Sequence, residues 1–294
     1  MPPSALVLTG IFSVQFGAGI AAKLFTQIAP AAVTGLRLWT SAAVMAVVGA
    51  RPRRNALTGL ARRRAWRDAA VVTAFGLTLA VMNFWIYQSF ARIPLGIAVT
   101  VEFLGPLGLA VASSRRLLDV LWVALAGAGV ALLARGGVPA GTGRGTVILG
   151  FAFALLAAVS WVGYILLSRA TGQRFPGSAG LAIAMLVSAV VITPVGVAAG
   201  PGGALLRPGI LLAGLGIGLL SSIIPYSLEM EALRRIPPRV FGIWMSLEPA
   251  VAALVGLVLL GQSLAAREWL AIGCVMIACA GAARGAREPG APEA

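Results

Sequence analysis

Glu102, Glu229 and Glu248 are the residues of this chain with the most chemistry to offer, because each lies inside an apolar run. Hydrocarbon cannot hydrate a carboxylate, so such a group turns toward the protein interior or a wet cavity. There it can bind a cation, or take up and release a proton. Glu102 belongs to Arg92-Ile-Pro-Leu-Gly-Ile-Ala-Val-Thr-Val-Glu-Phe-Leu-Gly-Pro106, and Glu248 to Arg235-Ile-Pro-Pro-Arg-Val-Phe-Gly-Ile-Trp-Met-Ser-Leu-Glu-Pro249. The two superimpose without a gap, Pro106 falling on Pro249 at an offset of 143 residues. Pro106 has no N–H to give the carbonyl of Glu102, and Pro249 none for that of Met245. Under-bonded backbone at membrane depth is tolerated where it is buried in protein or lines a cavity, so both segments are expected to break beside a polar pocket. The plainer alternative is a kinked packing helix whose glutamate pairs with a buried arginine.

Other polar groups fall at helical spacing around these breaks. Asn83 and Tyr87 are four residues apart, and Ser222, Tyr226 and Glu229 share a face at i, i+4 and i+7. Ser160 and Tyr164 lie on one face of another run, and Gln15 occupies the slot equivalent to Ser160 at an offset of 145. With Glu102 and Glu248 these residues are the candidate substrate-binding set. Taken singly, the tyrosines can equally be interfacial belt residues and the hydroxyls interhelical ties. Arg37 lies about two turns inside an apolar run and is read as the counter-ion of Glu102 or Glu248, with a substrate carboxylate as the other partner it can meet. The chain has no histidine, and Cys274 and Cys279, five apart, point to different sides of a helix, so no metal site is expected. Lys23, the one lysine, is not in a phosphate-binding loop, and nothing pairs a nucleophile with a base. Neither a cofactor nor an enzyme is expected.

The elements that position these groups follow from composition. Hydrophobic residues make up 59% of 294, only 11% are charged and mean hydropathy is +0.95, as in a polytopic membrane protein. The net charge of +14 resides almost entirely in arginines in short gaps between apolar runs, which orients membrane proteins and implies no nucleic-acid partner. A helix crosses ~30 Å of hydrocarbon with about 20 residues. Runs of that length lie at 5–25, 31–50, 69–90, 95–113, 118–134, 146–168, 179–199, 209–230, 239–261 and 266–284. The amino terminus lacks the basic stretch of a cleavable signal, so the first run is expected to remain as a span.

The expected fold is an all-α membrane protein of ten transmembrane helices in two five-helix repeats, residues 1–135 and 146–287, joined by the Gly/Pro-rich stretch 136–145. The gap after span 2 holds Arg51, Arg53, Arg54, Arg62, Arg63, Arg64 and Arg67, which makes it cytoplasmic. Both termini are then cytoplasmic, and the inner side collects sixteen basic residues against five outside: Arg92, Arg135, Arg144, Arg207 and Arg267. An odd number of spans in each half makes the repeats inverted, with a site at their junction near mid-membrane. Spans 1, 3, 4, 6, 8 and 9 carry the polar groups and form the expected inner shell.

The stretch Arg92–Pro106, with Pro225-Tyr-Ser-Leu-Glu-Met-Glu-Ala-Leu233 and Ser246-Leu-Glu-Pro-Ala250, resembles the threonine/homoserine exporter family in the EamA-type branch of the drug/metabolite transporter superfamily. Ser13-Val-Gln-Phe-Gly-Ala-Gly-Ile-Ala-Ala-Lys-Leu-Phe25 and Leu36-Arg-Leu38 are similar to the opening spans of that family. The resemblance implies ten helices, a central cavity and export of small amino acids. The expected function is export of threonine, homoserine or similar small zwitterions across the inner membrane, driven by the proton gradient. It also marks one departure, Gln262, where the family usually has glutamate. On this reading Glu102, Glu229 or Glu248 takes the substrate ammonium, and Tyr87, Tyr226, Asn83 and Gln15 serve its carboxylate. A carrier of another small solute, such as a purine, and a membrane-embedded enzyme are the alternatives.

Overall fold

The computed structural model describes residues 1–49, 65–112, 118–134, 143–175, 179–200 and 202–285. The arginine cluster Arg51–Arg64, most of the Gly/Pro-rich join and the arginines at 115, 116 and 287 lie outside the described residues, so the orientation they imply rests on sequence.

Among the described residues every regular element is helical, as backbone in lipid requires when all its hydrogen bonds must be internal. The helices are α1 (Pro3–Leu24), α2 (Pro30–Gly49), α3 (Ala65–Phe90), α4 (Leu95–Glu102), α5 (Leu104–Ala112), α6 (Leu118–Ala134), α7 (Arg144–Gly172), α8 (Ala179–Ala198), α9 (Pro208–Gly218), α10 (Ile224–Leu233), α11 (Pro238–Met245), α12 (Glu248–Leu260) and α13 (Ala266–Gly285). Among the described residues eight helical stretches are long and apolar enough to cross a membrane, three of them the broken rods α4–α5, α9–α10 and α11–α12. With α2 and the shorter α6 they make ten rods, whose bounds follow the apolar runs closely. Large side chains such as Val159, Leu212 and Val258 are more than 60% exposed on the outside of the bundle, where they meet lipid rather than water.

Three rods are interrupted, and proline explains each. α4 stops at Glu102 and α5 begins at Leu104, because Pro106 cannot bond back to the Glu102 carbonyl. α11 stops at Met245 and α12 starts at Glu248, again ahead of a proline, Pro249. Between α9 and α10 the chain widens into a π turn, Leu219–Ile223, just before Pro225. All three breaks lie in the middle of the bundle.

Packing crosses between the halves in matching pairs. α1 lies against α9, α10 and α12 of the second half, and α7 lies against α3, α4 and α5 of the first. α2 packs on α8, α6 on α13 and α4 on α12. The approach of α5 to α7 depends on Gly105, where an added Cβ would stand 2.1 Å from the Ala158 carbonyl oxygen. At one end of the bundle Asp68 pairs with Arg174 at 3.3 Å, tying the start of α3 to the segment after α7. At the other end the Leu95 N–H donates to Gln262 Oε1 at 2.9 Å. Gln262 therefore caps α4 as a neutral side chain, and the amide replaces the expected carboxylate without losing the acceptor.

Candidate functional site

The π turn sets the site. Its wider hydrogen bonding sends the Ile224 N–H back to Leu219, which leaves the Leu220 carbonyl free, and Pro225 has no N–H for the carbonyl of Ser221. Buried carbonyls need donors. The Ser13 hydroxyl of α1 donates to the Leu220 carbonyl at 2.7 Å, and Arg37 Nη2 of α2 donates to that of Ser221 at 3.0 Å. Arg37 Nη1 also reaches the Tyr87 hydroxyl at 3.4 Å, and the guanidinium carbon stands 5.5 Å from the Tyr87 ring centroid, a cation–π distance. Tyr87 is fully buried against Phe25 and Phe90.

These groups border an internal cavity of about 170 Å³. Drug-sized ligands occupy pockets of ~300–1,000 Å³, so this one suits a small solute. Its wall takes Val14, Gln15 and Ala18 from α1, Arg37 from α2, Met82, Asn83, Ile86 and Phe90 from the α3 region, and Val99 and Glu102 from α4. Trp161 and Tyr164 come from α7, Ser221 from the π turn, Pro225, Tyr226 and Glu229 from α10, Met245 from α11 and Glu248 from α12. Three carboxyls and one guanidinium thus face one small space. Gln15 Nε2 donates to Glu248 Oε1 at 2.8 Å, and Asn83 Nδ2 donates to the Leu79 carbonyl of its own helix.

Eight of the eleven polar residues singled out in the sequence line this cavity: Gln15, Arg37, Asn83, Glu102, Tyr164, Tyr226, Glu229 and Glu248. Three are not among its walls. Tyr87 lies behind Arg37 and holds it. Ser222 hydrogen-bonds Ser41 of α2 at 2.9 Å, an interhelical tie. Ser160 donates to the Leu156 carbonyl of its own turn, away from the cavity. At the sequence offset of 143 the position matching Glu248, which reaches Gln15, is Gly105, pressed on the backbone of α7 with no side chain to meet Ser160. Arg37 makes no ion pair with the three glutamates among the described residues, so its fixed partners are the Ser221 carbonyl and Tyr87. It brings α2 into a shell expected from six other spans.

Sequence reasoning missed Ser221, Trp161 and Phe90. Ser221 carried a readable signal, because a proline four residues on frees its carbonyl. Phe90 carried none. Its side chain borders the cavity and two larger pockets, one of about 730 Å³ with Arg92, Gln262 and Glu268, the other of about 610 Å³ beside Lys23. It is the thin wall between the cavity and that end of the bundle.

Residues 148–284 match the model of the EamA-like transporter family. The chain is 39% identical over 277 residues to the threonine/homoserine exporter RhtA of Salmonella typhimurium, an alignment covering 94% of this chain and 89% of the relative. It is 38% identical over 280 residues to the exporter of the same name from Escherichia coli K12, covering 95% and 90%. One solved crystal structure aligns over 95% of this chain and 96% of its own with a TM-score of 0.62 at 21% identity, a likeness of fold.

Proposed function

The chain belongs to the threonine/homoserine exporter family of EamA-like transporters, and from that premise we propose that it exports threonine, homoserine and similar small zwitterions across the inner membrane. The observation that carries the reading is the cavity itself: an apolar, multi-pass bundle keeps three carboxyls and a guanidinium around one space of about 170 Å³ at its helix breaks. A site holding both signs of charge suits a substrate that has both. Its ammonium lies against a carboxyl, and exchange of a proton at one of Glu102, Glu229 and Glu248 drives export.

In this reading residues 1–135 and 146–287 are inverted repeats that rock about the cavity. The support is the reciprocal packing of α1 on α9, α10 and α12 and of α7 on α3, α4 and α5, together with the offset of 143 between the two broken segments. Reconstituted in liposomes, the protein should carry labelled threonine and homoserine. Flux of nucleobases with none of amino acids would replace the substrate class while leaving the transporter. Orientation is checked separately. Reporter tags at residue 60 and at the carboxyl end should be found in the cytoplasm and a tag near residue 141 outside, as the arginine distribution requires. A cytoplasmic tag at 141 would contradict the inverted arrangement.

A further inference from the structure

Four side-chain atoms of residues that line the cavity are fully buried and have no hydrogen-bond partner: Gln15 Oε1, Glu248 Oε2, Arg37 Nε and Ser221 Oγ. A buried polar atom left unpaired costs roughly 1–3 kcal/mol, and native structures hold few of them. Their concentration around one cavity therefore points to a ligand that completes them. They also divide by kind. Gln15 Oε1 and Glu248 Oε2, on α1 and α12, are acceptors; Arg37 Nε is a donor, and the neighbouring Ser221 hydroxyl can donate.

Both ends are held in orientation. Gln15 gives its Nε2 hydrogen to Glu248 Oε1, and the flipped amide would set oxygen against oxygen, so Oε1 is left for another donor. Arg37 is pinned by the Ser221 carbonyl and by Tyr87, which leaves its Nε–H unspent. Ser221 lies flat on α1 because residue 17 is glycine: a Cβ there would stand 2.2 Å from Ser221 Oγ. Both ends border the same cavity of about 170 Å³. Such adjacency fits an ammonium and a carboxylate carried on one carbon.

Resting on the exporter reading, we propose that the cavity holds an α-amino acid in one fixed orientation, ammonium on Gln15 Oε1 and Glu248 Oε2, carboxylate on Arg37 Nε and Ser221 Oγ. This moves Gln15 from the carboxylate to the ammonium and gives Arg37 a substrate contact in addition to its structural ones. The side chain of the substrate then faces the remaining wall of Met82, Ile86, Val99 and Trp161.

The test is counterflow of labelled L-threonine in proteoliposomes of the full chain, competed by unlabelled threonine, by threoninol, which lacks the carboxylate, and by 2,3-dihydroxybutyrate, which lacks the ammonium. In the wild type both analogues should compete at least about tenfold less well than threonine. Ser221→Ala should shrink the threonine-to-threoninol gap severalfold and leave the gap to the hydroxy acid. Gln15→Met, close in volume, should do the reverse. Each gap is a ratio within one preparation, so partial loss of folded protein does not affect it. Gaps that stay unchanged, shrink together or shrink in the opposite sense overturn the orientation while leaving amino-acid export intact. A wild type with no amino-acid flux removes the exporter reading and this inference with it.

Discussion

A chain with valine in place of Gly105 should leave almost no folded protein in the membrane. The position has no room for a first carbon: a Cβ would stand 2.1 Å from the Ala158 carbonyl oxygen and 2.8 Å from its carbon, and both are helix backbone that cannot rotate away. α5 and α7 would have to separate, which spreads the break after Glu102 and the cavity beside it. Overpacking typically costs about 1–3 kcal/mol, and a rigid backbone clash belongs at or above the upper end of that range. Total stabilities of about 5–15 kcal/mol leave little reserve after such a loss. Gly108, one turn further along α5, has nothing within 4 Å of its would-be Cβ and serves as the control. Fluorescence-detected chromatography in mild detergent should show a monodisperse peak for Gly108→Val and aggregate or nothing for Gly105→Val. Equal peaks would mean that the α5–α7 contact is looser than described.

Glutamine substituted singly for Glu102, Glu229 and Glu248 should separate energy coupling from substrate binding. Glutamine keeps the size of the side chain and its capacity for hydrogen bonds but cannot exchange a proton. At the coupling position the variant should still exchange substrate for substrate, yet lose the stimulation of export by an imposed pH gradient entirely. No histidine can take over the role. Asp68 is tied to Arg174 at the bundle end, and Glu231 to Arg234 and Arg235 on an exposed turn. Glu102 is the first choice, because its carboxyl has no hydrogen bond among the described residues while Glu248 is held by Gln15. If all three variants keep wild-type pH-driven export, the proton is carried by a group other than these glutamates, which then set the polarity of the cavity only.

The ten rods were legible in the sequence because bilayer thickness fixes their length. The breaks at Glu102 and Glu248 were legible because each precedes a proline in a repeated segment. Glu229, Tyr226 and Tyr164 could be placed by helical spacing alone. Spacing could not tell Ser160 from Gln15, since the difference lies in what stands opposite, a glycine pressed on backbone in one half and a glutamate in the other. Nor could it show that Tyr87 serves the cavity from behind Arg37. The π turn had no marker beyond Pro225, although the carbonyl freed four residues before that proline pointed to Ser221. Phe90 reads as one more apolar residue until the chain is folded.

The exchange of neighbours between the halves also bears on how the protein is made. Gln15 and Arg37 leave the ribosome early, but their partners, Glu248 and the carbonyl of Ser221, are translated more than two hundred and about one hundred and eighty residues later. At ~5–20 residues per second the interval is on the order of ten seconds or more. For that time the first five rods sit in the bilayer with an arginine and an amide whose final partners do not yet exist. α1 likewise has no bed until α9, α10 and α12 arrive. The first five rods should therefore wait as an intermediate rather than fold as an independent unit. A nascent chain arrested between the halves should be a ready target for membrane quality control, and damage to late-made α12 should destroy early-made α1 along with it.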